Sequence, residues 1–440
     1  MVKNARDIFL EIVANNRKSG TKGIYSVCSA NAAVLEACFQ QAREDESILL
    51  IESTSNQVDQ EGGYTGMKPA DFAGYVNSIA ARVGFPKEMI LLGGDHLGPN
   101  KWQVLPAGEA MNHAKVLVEE YVKAGFQKIH LDTSMSCEGD PGNRKKPLSD
   151  EIVASRAAIL CGSAEDAWKD YCPDMPQPVY VIGTEVPPPG GAQEKEDLII
   201  PTKPEDAART VEVTRQSFDD AGLSDAWDRV VAVVVQPGVE YGDDRVFKYN
   251  RALAGELSSK ITEYDRLVYE AHSTDYQTEA DLKALVEDHF CILKVGPRLT
   301  FAYREALFAL ESMEMEIMGA GNEGLSNLRE TIDNVMLQDP KHWSKYYSGT
   351  KNQQFFKRKY SFSDRSRYYW PDKSINSAKN KLIENLRINE IPLSLLSQFM
   401  PYQFYEVLNG KLENDPVELV FNYIRIVCGI YARACGLSLS

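Results

Sequence analysis

The 440-residue chain is predicted to be an eight-stranded parallel β/α barrel followed by a C-terminal helical extension, and three observations carry the prediction. Eight short apolar or β-rich runs recur along it. Between them lie stretches with apolar residues at three- and four-residue spacing, the mark of helices with one buried face. The runs are too apolar to keep one face in water, which suits strands covered on both sides. Eight strand-helix repeats of that kind suit a closed (β/α)8 TIM barrel better than an open sheet.

In chain order the expected strands are 23–28, 48–51, 89–92, 128–131, 179–182, 230–235, 267–270 and 291–295. The expected helices between and after them are 30–42, 70–83, 113–124, 149–160, 204–221, 279–286 and 300–318. Start signals support two of these, Ser149 ahead of Glu151 and Thr202 ahead of Pro204. The barrel is expected to occupy residues 1–319, with 187–202 as its most loop-like insert. From 320 to 440 the composition changes. Aromatic and basic residues crowd together from His342 to Tyr347 and from Tyr360 to Trp370, and helical patterns follow at 377–386, 394–405 and 416–435. This reads as a helical extension packed on the barrel.

The totals exclude several classes. With 43% hydrophobic and 25% charged residues the chain has the composition of a folded globular protein. A formal charge of −15 disfavours nucleic acid or an anionic membrane as partner, while leaving room for a local basic pocket. The 8 cysteines form no CxxC pair, as expected of reduced thiols in a cytoplasmic protein rather than a disulfide frame or zinc ribbon. Neither a signal-peptide core after Met1 to Arg6 nor an apolar run long enough to span a membrane is present in the sequence.

The stretch from Leu91 to Asn100 is the most informative. An apolar run stops at Asp95-His96, followed by Gly98-Pro99, as if a buried strand delivered two polar side chains at its carboxyl end. Neighbours on an ideal strand face opposite ways, so a bend after Gly93-Gly94 is needed before both serve one pocket. A capping Asp and a hydrogen-bonded His would look the same in isolation. Barrel strands, however, deliver their carboxyl ends to one mouth. The residues there are Glu52, Ser53, Asn56 and Gln57; Asp95 and His96; His130, Asp132 and Ser134; Glu185; Gln236; Glu270, His272, Ser273 and Asp275; then Lys294, Gly296 and Arg298. That is more charge than capping requires. Two histidines and a carboxylate from separate strand ends suit a divalent ion with an open position, zinc first and manganese or a similar ion next. The candidate ligands are His96, Glu185 and His272, with His130 in reserve. His113, His289 and His342 read as structural.

The words Gly94-Asp95-His96, Ile129-His130-Leu131-Asp132-Thr133-Ser134, Ile182-Gly183-Thr184-Glu185, Leu267-Val268-Tyr269-Glu270-Ala271-His272 and Leu293-Lys294-Val295-Gly296 resemble, in order, those of class II ketose-bisphosphate aldolases. Over nearly the whole chain, including Ser361-Phe362-Ser363-Asp364-Arg365 to Trp370, the sequence more closely resembles the non-catalytic subunit family of D-tagatose-1,6-bisphosphate aldolase. Some members of that family act alone as 4-epimerases on ketohexose phosphates such as D-tagatose 6-phosphate. The resemblance implies that Asp95 carries a proton and that His96 and His272 bind metal. It departs at Glu185, which follows Gly-Thr where those aldolases place a histidine after Gly-Thr-Ala.

The expected function is a metal-dependent interconversion of D-tagatose 6-phosphate and D-fructose 6-phosphate. The C4 hydrogen is not adjacent to the C2 carbonyl, so direct deprotonation gives no stabilised anion. A polarised C2 carbonyl instead lets the C3–C4 bond break and re-form after the aldehyde rotates. Asp95 or Asp132 is expected to shuttle the C4 hydroxyl proton, and Glu270 and Glu52 to hold hydroxyls or serve as second base. Ser273, Gly296 and Arg298 lie where barrels bind phosphate, and Arg365 and Arg367 are expected to close over it. Transient oxidation at C4 needs a dinucleotide, and no strand is followed by GxGxxG. The rival expectation is an accessory subunit that stabilises a class II aldolase and is itself inert. A sugar-phosphate kinase is a third, for which no GxxxxGK[ST] loop exists. A homo-oligomer is expected.

Overall fold

The computed structural model describes residues 3–141, 148–183 and 199–438. Eight parallel strands close into a barrel: β1 (Ile24–Val27), β2 (Leu49–Thr54), β3 (Ile90–Leu97), β4 (Lys128–Leu131), β5 (Val179–Ile182), β6 (Val230–Val235), β7 (Val268–Ala271) and β8 (Phe290–Val295). Each pairs with its neighbours in sequence, and β1 closes on β8 with Ile24 beside Ile292 and Val27 beside Val295. Helices α1 (Ala5–Ser19), α2 (Ala32–Glu44), α3 (Pro69–Val83), α4 (Ala107–Lys123), α5 (Asp150–Tyr171), α6 (Pro204–Asp220), α7 (Ser224–Trp227), α8 (Arg251–Ile261), α9 (Glu279–Glu287) and α10 (Pro297–Met318) precede or follow the strands.

The strand between Ile90 and Leu97 differs from expectation in a way that builds the site. It does not stop at Asp95. Its ladder with β4 shifts register between Gly94 and Leu97, and His96 takes a left-handed φ of 51°. A non-glycine residue in that region breaks the two-residue alternation, so Asp95 and His96 both line the same cavity. Three glycines permit the crowding. A Cβ on Gly93 would meet Glu52 Cγ at 2.7 Å, one on Gly94 would meet Leu97 Cδ1 at 2.5 Å, and one on Gly98 would lie 1.6 Å from the Asp132 carbonyl oxygen. Any side chain at 98 would push β3 away from the end of β4.

Helix α1, absent from the sequence-based expectations, seals the amino-terminal end of the barrel. Its Phe9, Ile12 and Val13 join Ile24, Leu50, Leu91, Val181, Val234 and Ile292 in one buried cluster. Asn4 caps it by accepting from the Asp7 amide, and Gly20 ends it in the left-handed region at φ 65°. Beyond Met318 come α11 (Leu328–Gln338), α12 (Lys351–Tyr360), α13 (Lys373–Ile388), α14 (Leu393–Phe399), α15 (Pro401–Leu408) and α16 (Pro416–Ala434). The single helix expected over 394–405 is two, because Pro401 has no N–H to continue the first. Helix α16 packs on α10, α2 and α9. There Cys428 Sγ lies 3.4 Å from Cys38 Sγ of α2, and all eight cysteines are free thiols. Among the described residues no helix is long and apolar enough to cross a membrane.

Candidate active site

Below the mouth the barrel interior is not apolar. Lys128 at the start of β4 is fully buried, and its Nζ lies 2.8 Å from Glu52 Oε1 of β2 and 2.6 Å from Glu270 Oε2 of β7. Lys294 of β8 sits one layer higher: its Nζ contacts Glu52 Oε2 and lies 3.0 Å from Asp95 Oδ1 and 3.6 Å from Glu270 Oε1. Buried charges persist only when paired, and here two ammonium groups face three carboxylates. One negative charge is left over at the level of Asp95. Burial alone would neutralise both lysines, but the surrounding carboxylates raise Lys128 and hold Lys294 well above the ordinary lysine range. Burial likewise opposes ionisation of Glu270, and the two lysines overcome it and hold that carboxyl well below its usual value.

Three imidazoles stand above this floor. The ring centres of His96 and His272 are 4.9 Å apart, those of His96 and His130 5.2 Å, and those of His130 and His272 5.4 Å. His96 Nδ1 lies 2.7 Å from Asp132 Oδ2, and Asp132 also accepts from the Ser134 amide and hydroxyl. His130 Nδ1 lies 2.9 Å from Asp95 Oδ1, and His272 Nε2 lies 3.0 Å from Glu270 Oε1. Each ring is thus oriented by one carboxylate. Burial pushes His272 down to about 4, so it is neutral. Burial works the same way on His96 but loses to Asp95 and Asp132, which raise it. For Asp95, burial is outweighed by His96 and Lys294, and for Asp132 by the His96 hydrogen bond and charge, so both stay ionised well below the usual range.

A divalent ion fits this donor set. Asp95, His130, Glu270 and His272 each offer one ligand atom, and the four lie within 4.8 Å of one another. His130 Nε2 is buried with no hydrogen-bond partner, while its Nδ1 lies 2.9 Å from Asp95 Oδ1 and 3.2 Å from the His96 amide; with the Nδ1 proton donated to Asp95, Nε2 is free to ligate a metal. The uncompensated negative charge beside Asp95 favours a cation there, the same field by which Asp95 and Asp132 raise His96 against its burial.

Of the ligands expected from sequence, His272 belongs to that cluster and His96 stands beside it, oriented by Asp132. Glu185 lies outside the described residues. Glu52, Asp95, Asp132 and Glu270 converge as a group. The expected phosphate residues scatter. Ser273 and Gly296 line the mouth, as does Arg367, which reaches it from the segment between α12 and α13 and donates to the Ser363 and Asp364 carbonyls and the Tyr368 hydroxyl. The Arg298 guanidinium instead pairs with Glu305 Oε2 at 2.7 Å, and Arg365 donates to the His342 carbonyl and lies 3.0 Å over the Tyr346 ring. Sequence reasoning passed over Lys128 and placed Lys294 at the mouth without giving it a role. Their signal was present, since a lysine inside a strand apolar enough to be buried on both faces must meet buried carboxylates.

The mouth itself is a cavity of about 100 Å³. Through Cys28, Gln57, Tyr64 and Arg367 it adjoins a chamber of about 800 Å³ between the barrel and helices α13 and α16.

A solved structure from Sinorhizobium meliloti, described as a probable tagatose 6 phosphate kinase, is 45% identical to this chain, covering 94% of it and 100% of that chain at a TM-score of 0.85. The fructose-bisphosphate aldolase of Campylobacter jejuni (13% identity, TM-score 0.46, 87% of this chain and 92% of that one) and the YdjI aldolase of Escherichia coli (12%, 0.41, 87% and 96%) are too distant to bear on the site. The family model for D-tagatose-1,6-bisphosphate aldolase subunit GatZ/KbaZ-like proteins matches residues 9–436, and the chain belongs to that family.

Proposed function

We propose that this chain interconverts D-tagatose 6-phosphate and D-fructose 6-phosphate by opening and re-forming the C3–C4 bond. The observation that carries the reading is the convergence of Asp95, His130, Glu270 and His272 within 4.8 Å at the carboxyl ends of β3, β4 and β7, in a chain of an aldolase-subunit family. His130, Glu270 and His272, with His96 or Glu185 completing the shell, would hold a divalent ion that would supply Lewis acidity toward the C2 carbonyl, leaving Asp95 free beside it.

The chain's own groups do the rest. Asp95, held ionised, takes the C4 hydroxyl proton as the C3–C4 bond breaks and returns it when the bond re-forms on the other face of the aldehyde. Asp132 acts through His96 Nδ1, fixing the ring that faces Asp95. Glu52 and Glu270, buried below the mouth and paired with Lys128 and Lys294, fix the charge on which the upper residues stand. Arg367, at the boundary between mouth and chamber, faces the 6-phosphate. The test is direct: incubate the isolated, metal-loaded protein with D-tagatose 6-phosphate and follow D-fructose 6-phosphate by NMR. No product, with metal bound, rejects the reading.

The word subunit in the family description favours one alternative, an inert stabiliser of a class II aldolase. Under it the isolated protein is inactive and raises the activity or lifetime of the added aldolase. Phosphorylation of the same sugar, the activity attributed to the Sinorhizobium relative, lacks the phosphate-cradling loop that would serve it.

A further inference from the structure

The amino terminus of α10 is where a phosphate would be sought. A 22-residue helix begins at Pro297 directly after β8, Gly296 and Pro297 line the mouth, and anions settle on such ends. The structure has already used that position. Asp275, 2% exposed and lining the mouth, accepts from the Gly296 amide at 3.1 Å and from the Arg298 amide at 2.8 Å, both through Oδ1. The guanidinium that could have balanced a second anion there is turned to Glu305.

We propose that Asp275 is a specificity-determining residue that stands in for a substrate phosphate at this corner, so that the site takes a ketohexose carrying a hydroxyl, not a phosphate, on C1. The inference rests on the ketose-phosphate reading above and adds to it a choice between monophosphate and 1,6-bisphosphate. A ketose whose C2 carbonyl lies at the donor cluster has C1 one bond away. The chain leaves the cluster's β7 members, Glu270 and His272, through Ser273 toward Asp275. A C1 hydroxyl donates to the carboxylate. A C1 phosphate meets the Asp275 carboxylate and finds the helix amides occupied, while the Arg367 guanidinium that shares the cavity is engaged by the Ser363 and Asp364 carbonyls and the Tyr368 hydroxyl. The remaining length of the sugar extends past Arg367 toward the chamber, where a 6-phosphate has room.

The experiment is a calorimetric comparison of D-fructose 6-phosphate and D-fructose 1,6-bisphosphate binding to the metal-loaded protein, wild type and Asp275→Ala, with Asp275→Asn as the variant that keeps the side-chain shape. Wild type is expected to favour the monophosphate by about tenfold or more, a difference of about 1.4 kcal/mol. Asp275→Ala, which frees both amides, is expected to shift that ratio at least tenfold toward the bisphosphate, with Asp275→Asn between the two. Equal wild-type affinities overturn the inference while leaving the epimerase reading standing. So does an Asp275→Ala ratio equal to that of wild type. If Asp275→Ala does not fold, the wild-type and Asp275→Asn ratios decide by the same criterion. Absence of turnover with the preference intact rejects the epimerase alone, and binding of neither sugar rejects both.

Discussion

Lys294 Nζ lies 3.0 Å from Asp95 Oδ1, across a mouth that β1 and β2 separate on the barrel wall. The proposed proton carrier is therefore held ionised by an ammonium group from the far side of the site, and that ammonium also serves Glu52 and Glu270. Lys294→Met leaves three buried carboxylates against Lys128 alone. The expected outcome is a loss of roughly 3–5 kcal/mol in stability, measured by urea titration. In whatever variant protein remains folded, the acid limb of the pH–rate profile is expected to move upward, as Asp95 loses the charge that keeps it deprotonated.

Metal content separates the ligand sets. His130→Ala and His272→Ala are each expected to weaken zinc binding by at least about tenfold in competition with a chromophoric chelator. Full stoichiometric zinc in His130→Ala would remove it from the coordination shell. Chelation of the wild-type protein is expected to abolish epimerisation, and Glu185→Ala with undiminished metal and activity would exclude Glu185.

Asp132→Asn keeps the shape that accepts from Ser134 but removes the charge facing His96 Nδ1. A fall in kcat of about 10–100-fold with KM little changed is expected for a group that orients a site imidazole. A change confined to KM would instead place Asp132 against the substrate.

The metal-free protein should show two opposed titrations below neutrality. His272 falls from 6.5 to about 4 on folding, so its contribution is fully present above 6.5 and is lost as pH drops toward 4. Asp275 rises from 3.8 to about 6, so its contribution is present at the acid end and lost as pH climbs through 6. The two offset each other between about 4 and 6. Asp275→Asn removes one of them, and its melting temperature is expected to fall more steeply than that of wild type from pH 7 to pH 4. Parallel curves would mean that Asp275 does not titrate as a buried acid.

All eight barrel strands were legible because a strand covered on both faces must be written in apolar residues, and Val230–Val235 needs nothing else to be recognised. The polar strand ends were legible for the same reason, as interruptions. Side-chain direction was not. His96 reaches the mouth through a left-handed backbone that no periodicity rule anticipates, and Arg298 and Arg365 occupy expected positions while their guanidinium groups turn to Glu305 and to Tyr346 and His342. Lys128 was read as the edge of a strand when it is the floor of a charge network, because a sequence shows that a residue is polar but not which layer of the barrel it enters.

The plug formed by Phe9, Ile12 and Val13 gives the barrel one door. Solutes enter and leave from the side where the histidines stand, and nothing drains through the far end. Under the proposed reaction both fragments of the sugar would share that one exit, which Arg367 and Tyr368 help to line. Rejoining them would then compete with escape through a single opening.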